Sequence, residues 1–283
     1  MSKLMSTSND RETAEAFATS WNNLPSGSVY TRAQFEEWAA PLSEADVAGK
    51  SVVELGCGNA SLLVHAAAWH PANLIGVDLG ESVQSARRNM EAVSPPNAGV
   101  NWEIVQDDIL KFDAGEGFDV AYSIGVLHHL KNPEAGFQAL LAATKPGGRF
   151  HGWVYAQEGN LVIRLIVDPI RKIASHLPWW FTKYCLATPL VVPFYLYAKL
   201  LRALPRWSWV NTLPLYRYAL WIAERDFLFF RHVAFDQLVT PQTTYIPAAT
   251  VRKWLADSRV DPDTIYLFFR NGNSWKFGGT RKI

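Results

Sequence analysis

Between residues 50 and 155 the chain repeats one unit: a short apolar, β-branched run, a turn, then a helical pattern. SVVEL (51–55), LIGVD (74–78), VNWEIVQDD (100–108), FDVAYSIG (118–125) and RFHGWVY (149–155) read as strands. Near-continuous apolar strands separated by helices fit a parallel sheet covered on both faces. Helices are expected over 60–69, 81–92, 134–144 and 246–258, with KPGG (145–148) turning into the fifth strand. TIYLFF and SWKFGGTRK then read as an antiparallel pair whose Asn271-Gly272 is a hairpin signal. The expected fold is α/β: a doubly wound, mostly parallel seven-stranded sheet with an antiparallel C-terminal hairpin strand and a helical insertion. Residues 1–45 would form N-terminal cap helices, 46–158 with 246–283 the core, and 159–245 the insertion. Thr31 and Gln34 have the spacing of a capping box and should open a helix carrying Phe35 and Trp38.

Composition narrows the function classes. A net charge of +1 argues against coating nucleic acid through general basicity, and no nucleic-acid partner is expected. Cys57 and Cys185 form neither a disulfide framework nor a zinc-ligand spacing, and residues 1–20 lack a secretory apolar core. A reducing, cytoplasmic setting is the expectation. Among the His, Asp and Glu residues no metal-binding pattern stands out, so no metal is expected.

VVELGCGNAS (52–61) places Gly56 and Gly58 between a strand and a helix. Glycines there let the backbone approach a ligand, and the helix start offers unpaired N–H groups. Dinucleotide folds use nearly the same device, so the loop alone does not choose between cofactors. Asp78, about twenty residues on, suits two ribose hydroxyls, and Asp108 suits an adenine amino group with Ile109 against the ring. SIGVLHHL (123–130) closes the fourth strand, and a nicotinamide enzyme leaves both it and Asp108 without work.

ELGCGNAS, GVD, QDDI and GVLHHL…KPGG, in that order, resemble the class I S-adenosylmethionine-dependent methyltransferases, in their small-molecule branch. The resemblance covers residues 50–155 closely and 246–282 more loosely. It implies a Rossmann-like methyltransferase fold with S-adenosyl-L-methionine as cofactor. The implied cofactor-binding residues are Glu54, Gly56, Cys57, Gly58, Asp78, Leu79, Asp108, Ile109, Ser123 and Gly125. Ala60 stands where many members have glycine, a departure that matters only if the position needs a positive φ. FATSWNN…VYTRAQFEEW resembles a leader whose helices cover the cofactor, so Phe17, Trp21, Tyr30 and Phe35 are candidates for closing the site.

Methyl transfer to a hydroxyl calls for a base. His128 and His129 are the candidates, with Tyr155 and Glu158 as secondary acid/base or orienting groups. His128 is preferred, as nearer the strand end. A histidine near its ordinary pKa of about 6.5 would make activity rise through roughly pH 6–7. One of the pair could equally pack or cap the short helix between Leu127 and Leu130. Trp21, Tyr30, Tyr155, Glu158 and Tyr245 are the expected acceptor-binding residues.

The insertion is aromatic-rich, and between residues 151 and 235 ten Lys/Arg face four Asp/Glu, a balance of +6. In 161–175 Arg164, Asp168, Arg171, Lys172 and Ser175 form one helical stripe with aliphatics elsewhere. By the resemblance the segment is an acceptor lid for an apolar or aromatic molecule, and peripheral membrane contact is its rival use. YCLATPLVVPFYLYA (184–198) reads as too short and too proline-broken to span a membrane. The expected activity is methylation of an O or N atom of a small apolar or aromatic metabolite. The alternatives are a lipid-like or quinone acceptor at a membrane surface, and a non-catalytic cofactor-binding scaffold. The sequence leaves the oligomeric state open.

Overall fold

A computed structural model of the chain describes residues 8–22, 30–93, 99–204 and 208–283. Seven strands form one sheet in the order β3-β2-β1-β4-β5-β7-β6. They are β1 (Ser51–Leu55), β2 (Asn73–Asp78), β3 (Asn101–Gln106), β4 (Phe118–Ile124), β5 (Thr144–Tyr155), β6 (Tyr266–Arg270) and β7 (Ser274–Thr280). β1 to β5 run parallel; β7 inserts antiparallel between β5 and β6. Strand order reverses beside β1, so its carboxyl end opens a crevice between the β1 and β4 loops. β5 begins five residues earlier than the sequence pattern suggests. Thr144 already pairs with Phe118, and an irregularity in the ladder absorbs the glycines before Arg149 pairs with Val120.

Helices α1 (Ser8–Asn22), α2 (Arg32–Ala39) and α3 (Glu44–Val47) precede the sheet. The capping box at Thr31 forms, with Gln34 N–H to Thr31 Oγ1 at 3.2 Å and Thr31 N–H to Gln34 Oε1 at 2.8 Å. Helices α4 (Leu63–Ala67), α5 (Val83–Val93) and α6 (Pro133–Ala143) connect the parallel strands, and α12 (Ala248–Leu255) precedes the hairpin. Asn271 and Gly272 both take positive φ (50° and 70°), as a tight hairpin turn requires.

The insertion contains α7 (Leu161–Ala174), α8 (Trp179–Phe181), a π-helical turn (Thr182–Ala187), α9 (Thr188–Ala203), α10 (Tyr216–Ala223) and α11 (Phe227–Val239). The prolines do not break it as the sequence suggests. Trp179–Ala203 is one continuous helix, long and apolar enough to cross a membrane by length and composition. The π turn changes the hydrogen-bond register just before Pro189, and the Lys183 carbonyl accepts from both the Thr188 N–H and the Thr188 hydroxyl, the latter at 2.9 Å. The polar stripe of α7 also lies opposite to expectation for a surface helix. Arg171 is buried, bonded to Asp168 (2.7 Å) and to the Gln237 carbonyl (2.7 Å), while Leu161, Leu165, Ile166 and Ile173 face outward.

Helix α11 is the hinge of this layering. Phe229, Val233, Asp236 and Gln237 share one face and line the crevice. Phe235, Leu238 and Val239 pack on the other side against α7 and the π turn. A helix buried on both faces has no reason to be amphipathic, and this one is not.

Candidate active site

The crevice at the carboxyl ends of β1, β2 and β4 continues into a cavity beneath the insertion. The β1 loop shapes its first half. Gly56, Gly58 and Gly125 have φ of 84°, 55° and 80°. A side chain on Gly56 would collide with Val126, whereas beyond Gly58 there is open space. Ala60 is itself left-handed, at φ 63°, so the departure noted in the sequence carries a conformational cost of roughly 1–2 kcal/mol. Its methyl group is fully buried in the core, which offsets part of that cost.

Asp78 ties this loop together. Its Oδ2 accepts from Gly58 N–H (2.9 Å), and its Oδ1 accepts from Gly80 N–H (2.9 Å) and the Ser82 hydroxyl (3.1 Å). A carboxylate has about four lone-pair positions. These three donors leave room for one more hydroxyl rather than the two expected. Burial raises the Asp78 pKa, and the Gly80, Gly58 and Ser82 donors oppose that rise. Glu54 accepts from Tyr122 Oη at 3.1 Å, and burial raises its pKa to about 8. Asp108 accepts from Leu110 N–H at 3.0 Å. Glu54, Gly56, Cys57, Gly58, Asp78, Leu79, Asp108, Ile109 and Gly125 all line the crevice. Asp78 and Asp108 as acceptors, beside an open glycine and the Ile109 side chain, fit a ligand carrying hydroxyls, an amino group and a flat apolar ring. Ser123 does not belong to this wall: it is fully buried, because its hydroxyl is drawn inward to donate to Leu55 O at 2.8 Å.

The second half of the cavity draws on distant segments. Helix α1 contributes Asp10, Thr13 and Phe17, and Tyr30 follows. Asp10 fastens the helix by accepting from Lys131 N–H at 2.8 Å. Trp38, Trp153, Tyr155, Tyr218, Trp221 and Phe229 form aromatic walls, and Arg270 and Asn273 come from the hairpin. Arg270 pairs with Glu37 at 2.8 Å, its guanidinium 5.6 Å from the Trp38 ring and 5.3 Å from that of Trp221. Asp236, in the α11 wall, lies 3.2 Å from His232 Nε2.

The two histidines part company here. His129 lines the cavity edge-on to Phe17 at 5.0 Å. Its Nδ1 lies 3.0 Å from the Gln242 carbonyl. A carbonyl only accepts, so the neutral ring carries its proton on Nδ1 and leaves the Nε2 lone pair available. Burial lowers the His129 pKa to about 4. His128, the preferred base on sequence, does not line the cavity. The short helix turns it away from the cavity, into full burial between the His129 and Tyr155 rings (4.1 Å each).

Tyr155 lines the cavity, and burial raises its pKa, holding it as a neutral phenol. Tyr245 stands behind it, stacked at 6.2 Å. Glu158 is exposed outside the cavity, accepting from Ala248 N–H at 2.9 Å and Trp275 Nε1–H at 3.2 Å. Phe35 packs in the core against Trp69 and Tyr122. The Trp21 side chain lies outside the described residues. Asp236, Gln237 and Arg270 escaped the sequence reading. The i, i+4, i+7, i+8 spacing of Phe229, Val233, Asp236 and Gln237 was the available signal.

Residues 53–150 match the family model described as a methyltransferase domain. The chain carries a class I S-adenosylmethionine-dependent methyltransferase domain. The cofactor of such a domain is S-adenosylmethionine, and the crevice described above has the donor set to hold it. Among similar proteins, the ubiquinone biosynthesis O-methyltransferase of Stutzerimonas stutzeri (strain A1501) is 30% identical over 103 residues, 36% of this chain and 43% of its own length. That of Coxiella burnetii (strain Dugway 5J108-111) is 34% identical over 101 residues, 36% of this chain and 42% of its own length. The chain therefore spans less than half the length of these curated relatives, and the similarity lies in the methyltransferase domain. Magnesium protoporphyrin IX methyltransferase from Synechocystis PCC 6803 shares the fold, with a TM-score of 0.52 at 15% identity over 89% of this chain and 83% of its own. An O-methyltransferase family protein from Burkholderia thailandensis has a TM-score of 0.51 at 13% identity over 89% of this chain and 56% of its own.

Proposed function

We propose that this protein methylates a hydroxyl oxygen of a small aromatic or apolar molecule. The observation that carries the reading is His129, whose Nδ1 is engaged by the Gln242 carbonyl and whose ring lines an aromatic-walled cavity continuous with the cofactor crevice. The bound cofactor supplies an electrophilic methyl group on a sulfonium. Asp78 holds the glycine loop and accepts one ribose hydroxyl, Asp108 accepts from the adenine amino group, and Ile109 and Leu79 flank the ring. Trp153, Tyr155, Trp221 and Phe229 pack the acceptor and exclude water. His129 Nε2 takes the hydroxyl proton as the oxygen reacts, and the Gln242 carbonyl steadies the imidazolium through Nδ1–H. Tyr155 donates a hydrogen bond that orients the acceptor. The name O-methyltransferase borne by the relatives supports oxygen as the accepting atom.

The test is methyl transfer from radiolabelled S-adenosylmethionine to a panel of phenols and the matching anilines. Phenols should be methylated, with the activity lost in His129→Ala. Transfer only to anilines, undiminished by that substitution, would overturn the oxygen assignment. Calorimetry of Asp78→Ala should show cofactor affinity at least tenfold lower, about 1.4 kcal/mol, within the worth of a hydrogen bond to a charged group.

A further inference from the structure

The outer surface of the insertion is built with its polarity reversed. On α7, Leu165 is 68% and Ile173 66% exposed, whereas the charged pair Arg171–Asp168 is turned toward α11. On α9, Leu196 is 63% and Leu200 58% exposed, and Val192 lies on the same stripe. The inner stripe of α9, with Val191, Ala198 and Leu201, is buried against the rest of the insertion. Helix α9 is thus held along the fold, with Lys199 and Arg202 both donating to the Ala223 carbonyl that ends α10. Two helices with apolar outer stripes, each docked by its inner stripe, have the form of an interfacial layer.

Charge says what this layer faces. Residues 161–204 contain six bases, Arg164, Arg171, Lys172, Lys183, Lys199 and Arg202, and one acid, Asp168. That acid is engaged by Arg171, and residues 161–204 contain no other carboxylate. Lys172, Lys199 and Arg202 are exposed at its margins, and Trp180 and Tyr184 add half-exposed rings suited to a headgroup region. A two-fold contact with a second copy would instead bring like charges together.

We infer that the outer faces of α7 and α9 dock onto the surface of an anionic lipid bilayer, lying on it rather than crossing it. This stands independently of the acceptor's identity. Its geometry also has a functional side: α11 stands between α7 and the cavity, since Phe235 and Leu238 pack with Val167 and Ala174 while Val233 and Gln237 line the cavity.

The experiment is co-sedimentation of the full chain with phosphatidylglycerol/phosphatidylcholine vesicles and with phosphatidylcholine vesicles alone, at low and high salt. Light scattering measures the oligomeric state in parallel. Binding to the anionic vesicles should be at least tenfold tighter and should weaken with salt. Leu165→Glu, Ile173→Glu, Leu196→Glu and Leu200→Glu combined should reduce it at least tenfold, with cofactor affinity by calorimetry unchanged. Lys253→Glu, on α12, should leave it intact. If the quadruple variant loses cofactor affinity, the pairs Leu165→Glu/Ile173→Glu and Leu196→Glu/Leu200→Glu are read separately. Failure of folded wild-type protein to bind anionic vesicles overturns the inference. So does a wild-type dimer that the variants split into monomers, which would make this face a self-interface.

Discussion

The two halves of the cavity are built by different means. The cofactor half is backbone: three left-handed glycines, strand ends and carboxylates engaged with loop N–H groups, all between residues 54 and 125. The half proposed for the acceptor is side chain: rings and charges from α1, β5, α10, α11 and the last hairpin, gathered over more than 250 residues of sequence separation. Backbone sites tolerate little change because a conformation is at stake. Side-chain walls can be altered one ring at a time, losing fit without losing the fold. The first kind suits a fixed ligand and the second an acceptor that differs between enzymes.

The sharpest test of this contrast lies where the halves meet. His129→Ala should lower kcat by about 10²–10⁴-fold and leave cofactor affinity unchanged, as expected for a base. His128→Ala should cost stability through the cavity it leaves and lower kcat less. In the proposed mechanism the neutral imidazole is the active form, and burial lowers the His129 pKa to about 4. The neutral fraction therefore climbs through about pH 4 and is nearly complete by pH 6. A wild-type kcat profile flat from about pH 6 to 8 is expected, in place of the rise at pH 6–7 that an unperturbed histidine would give. A histidine-dependent rise at pH 6–7 would contradict this environment.

Next come the glycines. Gly56→Ala combines the left-handed penalty of about 1–2 kcal/mol with the overpacking of Val126, worth about 1–3 kcal/mol. Cofactor affinity should fall more than a hundredfold. Gly58→Ala meets no neighbour and should cost about tenfold. Equal losses in a titration of the two variants would break the backbone account of this half. On the other side, Phe229→Ala should raise acceptor KM about tenfold while cofactor Kd stays within twofold, because it removes binding common to ground and transition states. A change in cofactor Kd instead would erase the distinction between the halves.

The smallest effect is expected at Ala60. Ala60→Gly relieves about 1–2 kcal/mol of left-handed strain but loses a buried methyl, about 0.8 kcal/mol, and adds chain entropy of about 0.5–1 kcal/mol. The terms nearly cancel, so stability by denaturant unfolding should change by less than about 0.5 kcal/mol. A loss above about 1.5 kcal/mol would show that strain is not part of the wild-type balance.

The same contrast explains what the sequence disclosed. Strands β1 to β4 and their carboxylates were legible because buried parallel strands are apolar throughout and ligands gather at their ends. The insertion was not, since its local rules are overridden by neighbours. Helix α7 turns charges inward because Gln237 and Asp168 receive Arg171 there, and α11 has no polar face because both sides are covered. Pro189 reads as a breaker, yet the preceding π turn accommodates it. His128 and His129 are adjacent in sequence, and only the course of the Gln242–Thr243 segment separates them, by engaging the second ring.

The position of β7 between β5 and β6 sets an order on the molecule's making. The crevice residues of the β1, β2, β3 and β4 loops have all been translated by about residue 130, while Arg270 and Asn273 are made only after the whole insertion. The nascent chain thus acquires its cofactor crevice long before the far wall of its acceptor chamber exists. A message cut short after α12 would yield a protein with the β1 loop intact and that chamber open along the outer edge of β5, a ligand trap without a closed reaction vessel.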